Sequence, residues 1–129
     1  YNNANMVRDF TYIDDIVEAI KRVTFKIPIE NLFFGKFDPK TSESLAPYKI
    51  FNIGNVKPEK LMNYVSAIEK CLGKKAIKVM SPNQLGDVKI THADTARLKK
   101  WINFTPNTTI DVGVKKFINW YLKYYKIIT

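Results

Sequence analysis

The sequence predicts an α/β fold, because short extended runs alternate with amphipathic helical patterns along its length. Three observations carry this. Phe10-Thr11-Tyr12-Ile13 alternates like a strand and runs directly into Asp14-Asp15 and a helical stripe. Tyr48 to Ile53 repeats the arrangement, with Gly54-Asn55 as punctuation before a second stripe. Near the end, Thr108 and Asp111 introduce the best-defined helix of the chain.

The elements follow in order. Asp14 or Asp15 is placed to cap a first helix whose apolar positions are Ile16, Val17, Ile20 and Val23. Residues 26–48 break the periodicity with Pro28, Gly35, Pro39, Pro47 and the polar run Lys40 to Ser44, which predicts a long surface loop. After the second strand, Pro58 suits a first helical position, Leu61, Tyr64, Val65, Ile68 and Leu72 form one face, and Gly73 is the stop. Ala76 to Met80 reads as a third short strand. Asp94 is placed to cap a helix carrying Leu98, Trp101 and Ile102, and Thr108 with Asp111 forms a loose capping box before the stripe Val114, Phe117, Ile118, Tyr121, Leu122 and Tyr125. The lysines on the other face of that last helix read as a solvated surface.

Composition narrows the class. With 46% hydrophobic residues, 129 residues are enough for one lobe with a modest core, read here as a single unit over 1–129. No run approaches the roughly 20 apolar residues that cross a bilayer, so a soluble, cytoplasmic protein without membrane contact is expected. Cys71 has no partner for an internal disulfide and reads as a buried structural thiol in a reducing compartment. The net charge of +9 favours anionic partners without choosing among them. The chain starts at Tyr1, not Met, which suggests a piece of a longer polypeptide. His92, between an extended piece and a helix cap, reads as structural or surface. No metal-ligand set is expected.

The segment Arg8-Asp9-Phe10-Thr11-Tyr12-Ile13-Asp14-Asp15 places one cation at a strand start. Its plain reading is a surface pair between Arg8 and Asp9 or Asp14, worth about 0 to 1 kcal/mol. The same segment, however, resembles the stretch with which extended short-chain dehydrogenase/reductases enter their substrate-binding lobe. Further segments match in order: Phe51 to Asn55 (FNIGN), Pro58 to Tyr64, Gln84-Leu85-Gly86-Asp87-Val88, Thr91 to Thr95, and Phe117 to Tyr121. Together they cover nearly the whole chain apart from the 26–48 loop. The combination with APYKIFNIGN is most like the NAD-dependent UDP-glucuronate 4-epimerases of polysaccharide precursor synthesis. The fold implied is the C-terminal part of a Rossmann-type enzyme.

The resemblance implies roles residue by residue. Arg8 matches the arginine that binds the diphosphate of the UDP-sugar, and a forked guanidinium suits phosphate oxygens. Asp87 matches a carboxylate that accepts hydrogen bonds from ribose hydroxyls. Gln84 stands where many relatives have a second arginine, so it can donate hydrogen bonds without charge. Ala4 replaces a more usual glycine.

The same resemblance implies an NAD-binding N-terminal domain, absent from this chain together with its glycine-rich loop and Y-x-x-x-K motif. Tyr64 is followed four places on by Ile68, and Tyr121 by Tyr125. No catalytic or cofactor-binding residue is therefore expected here, and the lobe alone should be inactive. In the intact enzyme, NAD would take hydride from the sugar and return it to the other face. A homodimer, if formed, would use the absent half, and the 26–48 loop would fold over the sugar. Two other readings remain at this point. One is a small basic nucleic-acid-binding module, resting on net charge and on Tyr121, Tyr124 and Tyr125 interleaved with Lys123 and Lys126; the other is a non-catalytic regulatory or structural lobe.

Overall fold

A computed structural model describes residues 1–35 and 40–127. Among the described residues, a short 3-10 turn (Asn2–Ala4) is followed by four α-helices and one pair of short strands in the order β1 (Val7–Arg8), α1 (Ile13–Thr24), β2 (Glu59–Lys60), α2 (Leu61–Leu72), α3 (Ala96–Ile102) and α4 (Ile110–Tyr124). The helices pack as two pairs. Ala67 of α2 meets Val114 and Ile118 of α4, flanked by Tyr64, Ile68, Leu72 and Leu122. Ala19 of α1 meets Leu98 and Ile102 of α3, with Phe51, Ile53 and Phe104 around them.

Helix boundaries follow local chemistry with three corrections. Asp14 and Asp15 lie inside the first turn of α1, where their charge favours the helix N-terminus, and Tyr12 holds the cap position. Asp15 is drawn away from its own helix because its Oδ2 accepts the backbone N–H groups of Asn107 (3.1 Å) and Thr108 (2.9 Å). That same pull removes the expected Thr108–Asp111 box: Thr109 is the cap residue of α4, and its side chain makes no capping bond. Pro58 stands outside α2, since Glu59 and Lys60 first pair with β1. Gly73 ends α2 at φ +63°, as expected for a left-handed stop. Asp94 accepts from the N–H of Ala96 at 2.9 Å, at the start of α3.

The expected strands are shorter or differently placed. Val7–Arg8 forms the ladder instead of Phe10–Ile13, with antiparallel partners Lys60 and Glu59 and a parallel bridge from Val7 to Ile90. Tyr48 to Ile53 contributes one bridge, Lys49 to Glu43, and Ala76 to Met80 forms no ladder among the described residues. The reason is the lack of a neighbour: an extended segment becomes a strand only when another backbone takes up its N–H and C=O groups. Ile77 and Val79 are accordingly 97% and 83% exposed.

Cys71 is exposed, not buried. Helix α2 turns Tyr64, Ala67, Ile68 and Leu72 towards α4, and the thiol in the last turn falls outside that contact. The described parts of the 26–48 loop carry a turn and the Glu43 bridge; Lys36, Phe37, Asp38 and Pro39 lie outside the described residues.

Candidate functional site

Arg8 is positioned from three sides. Its backbone belongs to β1, Val7 donates to the carbonyl of Lys89 (2.9 Å), and Thr91 donates back to the carbonyl of Val7 (3.2 Å). The 89–91 segment thus runs beside β1 and brings the preceding turn next to the guanidinium. That turn spans 84–87: Asp87 N–H donates to the carbonyl of Gln84 (3.2 Å), and Gly86 adopts φ +85°. A positive φ at the third position is what a type II turn requires, and glycine takes it without a steric penalty.

Arg8 Nη2 donates to Asp87 Oδ1 at 2.7 Å, across 79 residues of sequence. Nη1 donates to the carbonyls of Val7 (3.0 Å) and Lys89 (3.2 Å). The two side chains are 21% and 32% exposed, so both remain reachable by a ligand. The plain expectation of an Arg8 pair with Asp9 or Asp14 is therefore wrong. Asp9 faces the other way, and Asp14 pairs with Lys116 at 3.2 Å. Gln84 sits at the opposite end of the turn from Asp87, with its side chain exposed.

Asp9 is the organising residue that sequence reading missed. Its carboxylate accepts the backbone N–H groups of Asn55 (3.0 Å) and Val56 (3.2 Å), while its own N–H donates to Thr91 Oγ1 (3.3 Å). The fit is close: a Cβ on Gly54 would lie 2.7 Å from Ala93 Cβ and 2.8 Å from Asp9 Oδ2. Val56 is held at φ +59°, a strained conformation for a β-branched residue. Buried Asn55 then carries the connection on, donating from Nδ2 to the carbonyl of Thr108 (3.1 Å). Beyond Asp9, Phe10 stacks on Tyr64 with ring centroids 4.4 Å apart, and Tyr12 packs on Gly113 of α4. The strand carrying Arg8 is thereby locked to both helices of the α2–α4 pair.

A second polar anchor holds the other end of the turn's segment. Glu69 is buried on α2 and accepts from Ala76 N–H (3.0 Å), Lys75 Nζ (3.1 Å) and Lys78 Nζ. Those donors, Lys78 first, hold its carboxyl well below its ordinary value of 4.5, at about 2. His92 is exposed on the site's flank.

The glycines do not form a dinucleotide cradle. Gly54 is filled by Asp9 and Ala93, Gly113 by Tyr12, and Gly35, Gly73 and Gly86 each occupy turns with positive φ. None opens a helix after a strand, as the glycines of a dinucleotide phosphate loop do. No helix among the described residues is long and apolar enough to cross a membrane.

Comparison with known proteins shows what the chain is similar to. No protein-family model matches the chain. Protein CapI of Staphylococcus aureus is 52% identical over 126 residues, covering 98% of this chain and 38% of CapI. UDP-glucuronate 4-epimerase 1 of Arabidopsis thaliana is 38% identical over 126 residues, covering 96% of this chain and 28% of that protein. Among solved structures, the UDP-glucuronic acid 4-epimerase of Bacillus cereus in complex with UDP-glucuronic acid and NAD superposes with a TM-score of 0.72 at 22% identity. That match covers 97% of this chain and 35% of the other. The likeness establishes the fold as part of a Rossmann-type α/β fold. The chain spans well under half the length of these relatives.

Proposed function

Because this chain is a homologue of a segment of the UDP-glucuronate 4-epimerases, we propose that it is the nucleotide-sugar-binding portion of an NAD-dependent UDP-glucuronate 4-epimerase, a cytoplasmic enzyme serving surface-polysaccharide precursor synthesis. The observation that carries the reading is the 2.7 Å meeting of Arg8 and Asp87 at a turn built for it. An arginine and a carboxylate side by side match the two halves of a nucleoside diphosphate, which offers phosphate oxygens as acceptors and ribose hydroxyls as donors. In this role Arg8 takes the diphosphate, Asp87 accepts from the ribose, and exposed Gln84 adds a neutral donor.

Asp87 prepares Arg8 as well as sharing its ligand. Three of the five guanidinium N–H donors are engaged by Asp87, Val7 and Lys89. The group is therefore held in one orientation before a phosphate arrives, which lowers the entropy cost of binding. Binding energy gathered here, remote from the sugar carbon that reacts, positions the hexuronic acid. NAD, carried by a domain outside this chain, would supply hydride transfer when bound. The residues described here orient the substrate and move no proton, and any dimer contact belongs with that other domain.

The test is kinetic. In the longer parent enzyme, Arg8→Ala lowers kcat/KM for UDP-glucuronate by about 30- to 1000-fold, equivalent to about 2 to 4 kcal/mol for a partly buried charge-assisted contact. Unchanged kcat/KM rejects the role of Arg8. Epimerase turnover by the 129-residue chain alone would reject the division of labour.

A further inference from the structure

A cleft rich in cationic side chains shares no residue with the Arg8–Asp87 pair. The loop residues Lys40, Ser42 and Glu43, the bridge residue Lys49, the following Ile50 and Phe51, and Arg97, Lys100 and Trp101 of α3 line one cleft of about 410 Å³. Four of these side chains are cationic and one is anionic, and Glu43 is already paired with Lys49 at 3.0 Å. Arg97 and Lys100 are three apart on α3 and so share a face. Arg97 Nη1 meets the Ser42 hydroxyl, which ties the loop to the helix and closes one side.

The floor is aromatic. Trp101 packs against Phe51 with centroids 5.9 Å apart, and Lys49 Nζ lies 5.3 Å from the indole centroid. Trp101 Nε1 is buried with no hydrogen-bond partner among the described residues. A buried indole N–H ordinarily finds an acceptor. A cleft of this volume matches a small ligand, and its charge selects an anion.

We propose that this cleft binds a phosphorylated small molecule, with its phosphate between Arg97, Lys100 and Lys49 and its remainder against the Trp101–Phe51 floor. The site is independent of the nucleotide site proposed above. Glu43, whose carboxyl is held below its usual range by the Lys49 hydrogen bond, stays ionised beside the phosphate and sets the selectivity: an anion must compete with it for Lys49. A compact, doubly charged phosphate group does so better than a carboxylate.

Trp101 provides the readout. In a Trp120→Phe background of the full chain, inorganic pyrophosphate should change Trp101 emission saturably, with half-saturation tighter than about 1 mM at moderate salt. Arg97→Ala combined with Lys100→Ala should weaken this at least ~10-fold, whereas Arg8→Ala should leave it unchanged. Both substituted α3 residues are exposed, and circular dichroism of the double variant checks the fold. If that variant unfolds, Lys100→Glu serves in its place and should give the same loss. No saturable change, or a change untouched by either variant, overturns the proposal. So does quenching by heparin or single-stranded DNA without any response to pyrophosphate, which would make the face a polyanion surface. Loss of the pyrophosphate response on Arg8→Ala would assign the signal to the nucleotide site instead.

Discussion

The α2–α4 pair and the Arg8–Asp87 corner are built on opposite principles. The helix pair is held by apolar burial of Ala67, Val114 and Ile118, with contacts that any residue of similar shape could make. The corner is held by directed polar bonds: Asp9 to two backbone amides, Asp87 to Arg8, and a backbone exchange between Val7 and the 89–91 segment. The first arrangement sets stability, and the second sets the position of a few atoms. Phe10 and Tyr12 join them, so the polar corner inherits its rigidity from the packed pair.

Substitutions in the two regions therefore separate. Ile118→Ala should cost the most stability, about 3 to 4 kcal/mol, by leaving a cavity between α2 and α4. Denaturant titration measures that loss, and UDP affinity of the residual folded protein should be unchanged. Gly54→Ala comes next, at about 1 to 3 kcal/mol, because the new Cβ must displace Ala93 or Asp9. Here UDP affinity should fall as well, since Asp9 adjoins Arg8. A loss of stability with affinity intact would show that the corner is not coupled to the Gly54 turn.

Glu69 gives a pH-dependent test. Its folded value, about 2, lies below its ordinary 4.5, so its stabilising contribution is complete above pH 4.5 and is lost as pH falls towards 2. Glu69→Gln should flatten that part of the acid-unfolding curve. An unaltered pH dependence would mean that the clasp on Ala76, Lys75 and Lys78 is not maintained in solution. The smallest effect expected is at Val56, where Asn tolerates positive φ better than valine. Val56→Asn should stabilise by about 1 kcal/mol, read as a rise in Tm.

The same contrast explains what could be read from sequence. Helices are local, so the α2 stripe and the Gly73 stop were legible from spacing alone, whereas on α4 only Val114, Ile118 and Leu122 of the expected stripe are covered and Phe117, Tyr121 and Tyr125 are exposed. Strands were not, because whether Tyr48 to Ile53 or Ala76 to Met80 enters a ladder depends on a neighbour that periodicity cannot supply. Capping by Asp15 failed for a related reason: an amide donor more than 90 residues away competed for its carboxylate. Arg8, Gln84 and Asp87 were singled out through resemblance, whereas spacing alone favoured an Arg8 pair with Asp9 or Asp14. Asp9 went unrecognised as an anchor because its partners, Asn55 and Val56, lie more than 45 residues further on. Cys71 was misplaced since apolar neighbours in sequence do not say which side of a helix end is covered.

The most direct measurement is isothermal titration of UDP into this chain, with Arg8→Ala alongside. Saturable binding that weakens by about 2 to 4 kcal/mol in the variant is the result expected of a lobe that grips the nucleotide through Arg8. Equal binding by both proteins, or no binding to a chain shown to be folded, would contradict it.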